Sequence, residues 1–219
     1  MRILTGKFKG RNIKVPENIR PTQNLVRKAI FDVLGDIEGL SFLELYAGSG
    51  AVGLESLSRG ARDLTFVEYN RDCALAIEKN IEALKLKNCR LYQKDAQEAI
   101  KAFKRGGRTF DLIFLDPPYH SSPSTPNPKG WIGVPLSAAT PNPIGWVGVP
   151  PSAAKKTLQT LDAYDILAPY GLVIVQHFKK ENLPDALGVL SLLKRKIYGD
   201  TIVSFYRKNV PESDLSRNL

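Results

Sequence analysis

Four consecutive residues, Asp116-Pro117-Pro118-Tyr119, combine side chains and backbone suited to holding an amine. Two adjacent prolines fix the backbone and remove two N–H donors, so the carbonyl oxygens around them point in set directions. A carboxylate and a rigid carbonyl together accept both hydrogens of an exocyclic NH2 group. That arrangement holds the nitrogen still and favours its lone pair for attack on an electrophilic methyl carbon. An aromatic ring beside them offers a face on which a base can stack.

A second constellation begins at Glu44 and runs through Tyr46 to Gly48-Ser49-Gly50-Ala51-Val52-Gly53. An apolar run entering a Gly-x-Gly-x-x-Gly turn brings backbone N–H groups close to a bound cofactor. Taken alone, the pattern fits a dinucleotide as well as another adenosyl cofactor. Glu68 lies 20 residues after Gly48, where a carboxylate accepts hydrogen bonds from both ribose hydroxyls. Asp95 is spaced to reach an adenine amino group and equally to cap a helix that starts at Ala96. His120 and His177 have no recognisable nucleophile partner, and no metal-ligand spacing is present. The two cysteines, Cys73 and Cys89, read as reduced structural thiols in a cytosolic protein.

These residues need elements that carry them to one place. Thr22 to Leu34 reads as a helix with Leu25, Val26, Ala29, Ile30, Val33 and Leu34 on one face. From there strands and helices alternate. Strands are expected at Phe42–Tyr46, Leu64–Glu68, Arg90–Gln93, Phe110–Leu115 and Gly171–Gln176. Helices are expected at Ala51–Ser58, Asp72–Leu84, Ala96–Phe103 and Leu158–Ile166. Two last strands, Lys194–Tyr198 and Ile202–Tyr206, flank Gly199-Asp200. The alternation predicts an α/β fold: a doubly wound, mostly parallel sheet with an antiparallel C-terminal pair. In such sheets ligands bind at the carboxyl ends of the strands, so Asp116 and the glycine turn face one crevice.

The 219 residues carry a net charge of +9, and residues 1–28 alone hold +7 of it. Most of those cations fall on a small hairpin expected from Arg2–Thr5 and Asn12–Val15. A concentrated basic opening is the footprint of a protein that meets a polyanion. No apolar run reaches membrane-spanning length, and the opening residues lack the apolar stretch of a secretory signal. Residues 125–139 and 140–154 match at 12 of 15 positions, a tandem repeat. The 121–154 insert holds eight of fifteen prolines, both tryptophans (Trp131 and Trp146) and one charge, which argues against regular structure. A duplication tolerated in a loop is favoured over a base-stacking function for the tryptophans.

On these motifs the chain resembles the class I S-adenosylmethionine-dependent methyltransferases. More narrowly, it resembles the RsmD family of bacterial 16S ribosomal RNA guanine-N2 methyltransferases, over nearly everything outside 121–154. The resemblance rests on the Arg2–Arg11 opening, Arg20-Pro21-Thr22 with Val26-Arg27 and Phe31, the Phe42–Gly50 run, Asp116–Tyr119, and Tyr198–Thr201 with Phe205-Tyr206. It implies a Rossmann-like domain over 23–219 with a basic β-hairpin extension over 1–22. It also implies S-adenosylmethionine as cofactor. Gly48, Ser49 and Gly50 would pass beneath its methionine part, with Glu44 near the ammonium group. Glu68 would hold the ribose and Tyr69 would pack beside the adenine. Asp95 would meet the adenine N6, with Tyr46 and Ala96 as further cofactor contacts. Asp116 and the Pro117 carbonyl would grip the guanine N2 amine, Pro118 would stiffen the turn, and Tyr119 would stack on the ring. Arg2, Lys7, Lys9, Arg11, Arg20 and Arg27 would contact phosphates. The implied partner is 16S ribosomal RNA or the assembling small subunit, met by a cytoplasmic monomer without metal. Asp-Pro-Pro-Tyr is shared with DNA adenine-N6 and cytosine-N4 enzymes. A DNA amino-methyltransferase, an inactive RNA-binding homologue and a nicotinamide dehydrogenase are the alternatives.

Overall fold

The computed structural model describes residues 1–17, 19, 22–118 and 152–209. Its centre is an eight-stranded sheet of order β3-β2-β1-β4-β5-β8-β7-β6. β1 (Ser41–Leu45), β2 (Asp63–Glu68), β3 (Cys89–Gln93), β4 (Phe110–Leu115) and β5 (Leu167–Phe178) run parallel. β7 (Leu190–Tyr198) and β8 (Thr201–Lys208) close the sheet as the expected antiparallel pair beside β5. The two-residue β6 (Ala186–Leu187) pairs with the start of β7 and is too short to leave a pattern in the sequence.

The near-continuous apolar strands are explained by two packed faces. Phe42, Phe66, Leu112, Phe114 and Ile174 turn to one side, against α1 (Asn24–Leu34), α2 (Ala51–Ser58) and α3 (Arg71–Ala83). Leu43, Leu45, Ile113, Leu115 and Val175 turn to the other, against α4 (Ala96–Arg105) and α5 (Ala153–Tyr164). Both faces being covered is what a parallel sheet requires. Asn70 caps α3 and Asp95 caps α4, each accepting two backbone N–H groups. α2 has no side-chain cap of its own, and Glu44 of β1 supplies one by accepting from Gly53 N at 2.8 Å.

Gly53 leaves room for that carboxylate. A Cβ there would lie 2.6 Å from Glu44 Oε2 and 2.7 Å from Leu64 Cδ1. Gly53→Ala is therefore expected to destabilise the protein by about 1–3 kcal/mol, read from the urea midpoint.

Three expectations are corrected. The N-terminal hairpin forms one antiparallel bridge, Arg2 with Asn12, rather than two strands. Backbone bonds such as Ile3 N to Arg11 O (3.0 Å) hold it, and Ile3 and Ile13 are buried in the core. The helix expected from Leu158 begins at Ala153, inside the second repeat copy, because Pro151 is the last proline of the 121–154 insert and Ser152 caps the helix through Lys155 N. The inner face of α1 is Val26, Arg27, Ile30 and Phe31, whereas Leu25 is 65% exposed.

Arg27 therefore does not reach a phosphate. Its side chain is fully buried, donating to Arg2 O at 2.6 Å and Asn24 Oδ1 at 3.1 Å, with Glu55 4.0 Å away. Glu55 is a buried hub: it accepts from Leu4 N, Thr5 N and Thr5 Oγ1 and pairs with Arg59 at 3.1 Å. Through it the opening segment is fastened to α2.

At the far edge, β7 carries Lys194-Arg195-Lys196 beside a register shift between Leu192 and Lys194. Among the described residues no helix is long and apolar enough to cross a membrane, and no cluster of His, Cys, Asp or Glu could hold a metal ion.

Candidate active site

The carboxyl ends of β1, β2, β3 and β4 deliver Glu44, Glu68, Asp95 and Asp116 to one rim of the sheet. Between β1 and β4 lies a cavity of about 90 Å³ lined by Ile19, Thr22, Glu44, Gly48, Phe114 and Asp116, among others. The lining of a larger hollow of about 400 Å³, near Lys155 and Arg195, includes none of these carboxylates and no part of the glycine turn, so the candidate site is the smaller one.

The turn after β1 adopts the conformation its glycines permit. Gly48 and Gly50 have φ of 54° and 73°, and Tyr46, with no such freedom, is held at 57°. A Cβ on Gly50 would meet Phe66 Cε1 at 3.0 Å, so the turn lies flat against the core. Gly48 N donates to Glu68 Oε2 and Asn70 N donates to Glu68 Oε1, both at 2.7 Å. The two bonds aim the Glu68 carboxylate and leave lone pairs on each oxygen. Tyr69, beside it, is 77% exposed, a bare ring next to an aimed carboxylate. Tyr46 lines the cavity but sends its hydroxyl away from it, 2.7 Å from Thr157 Oγ1 of α5. Asp95 caps α4, accepting from Gln97 N and Glu98 N through Oδ1. It does not line the cavity, and Ala96 beside it is buried.

Asp116 closes the β4 side of the cavity. Burial pushes its carboxyl up to about 7, opposed by a hydrogen bond from Thr22. Burial likewise pushes Glu44 up to about 8, against the backbone donors Gly53 and Val52. A buried carboxyl, Glu44, and a half-buried one, Asp116, facing one small cavity form a site that gains when a positive centre enters it. Both oxygen contacts of Asp116 fall on Oδ2: Gln176 Nε2 at 2.7 Å and Thr22 Oγ1 at 3.4 Å. Pro117 is buried and Pro118 exposed.

Of the expected site residues, Glu44, Tyr46, Gly48, Ser49 and Asp116 meet at the cavity, and Glu68 is bonded to its wall. Arg2, Lys7, Lys9 and Arg11 are exposed, as phosphate contacts must be. Tyr119, His120, Arg20 and nearly all of the 121–154 insert lie outside the described residues. Thr22, Phe114 and Gln176 were missed. Gln176 sits at the carboxyl end of β5, so the strand-end rule that found Asp116 was the available signal.

Residues 1–127 match the family model described as "Conserved hypothetical protein 95". The chain is 30% identical over 212 residues to the "Putative rRNA methyltransferase YlbH" of Bacillus subtilis (strain 168), covering 95% of this chain and 99% of that protein. It is 28% identical over 218 residues to the "Ribosomal RNA small subunit methyltransferase D" of Escherichia coli (strain K12), covering 98% and 93%. The chain belongs to the RsmD family of methyltransferases. Among solved structures, the "Putative methyltransferase yhhF from Escherichia coli" superimposes with a TM-score of 0.73 at 26% identity, covering 96% of this chain and 99% of that one. The Rossmann-like methyltransferase fold expected from the RsmD resemblance is the fold observed.

The residues present suit S-adenosylmethionine. A glycine turn with left-handed residues, a ribose-competent Glu68 and an acidic cavity match an adenosyl group carrying a sulfonium and an ammonium.

Proposed function

We propose that this RsmD-family protein methylates the exocyclic N2 amine of a guanine in 16S ribosomal RNA. The observation that carries this reading is Asp116: a half-buried carboxylate with one oxygen anchored, set between the glycine turn and Pro117-Pro118.

S-adenosylmethionine is the methyl donor and supplies an electrophilic carbon on sulfur. Glu68 accepts from its ribose hydroxyls, and Glu44 lies in the cavity wall as a counter-charge for the ammonium. Guanine N2 is a poor nucleophile because its lone pair is delocalised into the ring. Asp116 and the Pro117 carbonyl accept its two hydrogens, which orients the nitrogen and concentrates charge on it. Orientation and preorganised acceptors are the main sources of rate here. Tyr119 stacks on the base, which must leave its own stack to enter, so a loop nucleotide suits the site.

The exposed cations Arg2, Lys7, Lys9 and Arg11 bind phosphates. Affinity for RNA is expected to fall steeply with salt, and Lys7→Ala/Lys9→Ala/Arg11→Ala together to flatten that salt slope while cofactor affinity holds. Filter binding across a salt series checks this.

The acid side of the pH profile follows from Asp116. Protonated, the carboxyl loses an acceptor, so kcat/KM is expected to fall as pH drops through about 7. The decline approaches about tenfold per pH unit.

The test is transfer of labelled methyl from S-adenosylmethionine to 16S RNA or unmethylated small subunits, with DNA alongside, followed by nucleoside digestion. N2-methylguanosine supports the reading. Label in DNA or in another base overturns it.

A further inference from the structure

Gln176 is held as the base-recognition chemistry would need. It follows Val175, which pairs with Leu115, so its side chain leaves β5 one rung from Asp116 on β4. It is 7% exposed, and its Nε2 donates to Asp116 Oδ2 at 2.7 Å. Thr22 Oγ1 donates to the same oxygen at 3.4 Å. No described donor reaches Oδ1. The carboxylate is thus pinned by one oxygen and offers the other. The amide is itself only half satisfied: Gln176 Oε1 is buried with no hydrogen-bond partner among the described residues. A buried polar atom left so is costly, which in native proteins marks a site with a task.

Resting on the reading of Asp116 above, we infer that Gln176 is a positioning residue. It fixes Asp116 so that Oδ1 meets the amine, and it holds the carboxyl in its ionised, accepting form. In the transfer step the new N–C bond forms as the C–S bond breaks, its electron pair leaving on the neutral thioether sulfur. The methylated N2 then gives one of its protons to Asp116, which becomes a neutral carboxylic acid. That acid is a weaker acceptor for Nε2. By turning over, the same amide presents the unpartnered Oε1 as an acceptor instead.

The groups around Asp116 limit what else could set its titration. Glu44 faces it from β1, and Thr22 from the segment before α1. His177, next on β5, is turned to Ser204 of β8 at 2.9 Å. Among the described cavity residues there is no cation. Gln176 therefore supplies the shorter of the two hydrogen bonds that favour the ionised form.

The experiment compares wild type, Gln176→Leu and the length-matched Gln176→Met in the RNA methylation assay from pH 5.5 to 9. Cofactor binding by calorimetry establishes that each variant is folded, and Gln176→Met stands in if Gln176→Leu is not. A lost hydrogen bond to a charged acceptor predicts a fall in kcat of about 10–100-fold, with KM for S-adenosylmethionine unchanged. It also predicts an acid limb moved up by about one pH unit. In an Asp116→Asn background the same substitution should add less than about twofold, because it acts through Asp116. A merely structural Gln176 would lower the rate in both backgrounds and leave the limb in place, and that result overturns the inference. Wild type that labels no RNA overturns the functional reading and this inference together, an outcome distinct from the first.

Discussion

Asp116→Ala is expected to lower kcat for RNA methylation by about 10²–10³-fold or more while cofactor affinity stays within a few-fold. The size follows from what is lost. The alanine variant has no side-chain acceptor for the amine, and Gln176 Nε2 and Thr22 Oγ1 lose their shared partner. The cofactor contacts proposed above belong to other strands, to Glu68 of β2 and the turn after β1, so binding is expected to be spared. Asp116→Asn separates the roles of charge and acceptor. Its amide oxygen still accepts, so activity above the alanine level is expected, now without the acid limb near pH 7. The same variant should be the more heat-stable protein at pH 8. In the folded chain Asp116 titrates near 7, above the range of about 3.9 for an unfolded aspartate. Folding therefore favours its protonated form, and the penalty for ionising it grows as pH rises from about 4 to about 7. Thermal unfolding at pH 5 and pH 8 measures it: a gain for Asp116→Asn larger at pH 8 is the expected result, and equal gains would contradict it.

The largest effect on stability is expected away from the cavity, at Glu55. Glu55→Ala would strand the Arg27 guanidinium, whose side chain is fully buried and whose Nε and Nη1 already lack hydrogen-bond partners. Burial is the largest influence pulling the Arg27 pKa down, with Glu55 the leading opposing one. Removing one member of a buried pair typically costs about 3–5 kcal/mol. The substitution also releases Leu4 N, Thr5 N and Thr5 Oγ1, so the opening segment loses its tie to α2. Urea unfolding should show the midpoint fall, and RNA affinity should drop with it because Arg2, Lys7 and Lys9 would no longer be presented together. Arg27→Met combined with Glu55→Leu should recover part of the stability, since no buried charge then remains. A Glu55→Ala variant as stable as wild type would mean that water reaches Arg27.

The strand ends were legible because their signals are local. Apolar runs meeting Gly48 or Pro117 state where a strand stops, and strand ends in a doubly wound sheet converge on one rim. Asp95 was legible as a cap for the same reason, since a cap is decided within four residues. Arg27 was misread because a count of cations carries no direction. Its spacing held the answer: Val26, Arg27, Ile30 and Phe31 form an i, i+1, i+4, i+5 stripe, and the stripe is what α1 buries. Glu55 was equally hidden, one carboxylate on a short helix whose every residue is buried. Gln176 lay at a strand end that the same rule reaches, and it was passed over for a different reason. A neutral amide in a buried strand acquires meaning only from the aspartate on the neighbouring strand, and that adjacency is a property of sheet order.

The outer margin of the sheet bears on how this protein behaves at high concentration. Among the described residues β6 covers β7 for only two residue pairs, which leaves much of a nine-residue strand without a full ladder on that side. Bare strand margins template pairing with other chains, the first step toward fibrils. Here the stretch beyond those pairs bears Lys194 and Lys196, with Arg195 between them engaged by Leu183 O and Asp185, and an irregular register at Leu192/Lys194. Two copies approaching margin to margin would stack like charge on like charge across a kinked backbone. The same basic run that adds to the chain's positive charge thus keeps its sheet from growing into a neighbour's.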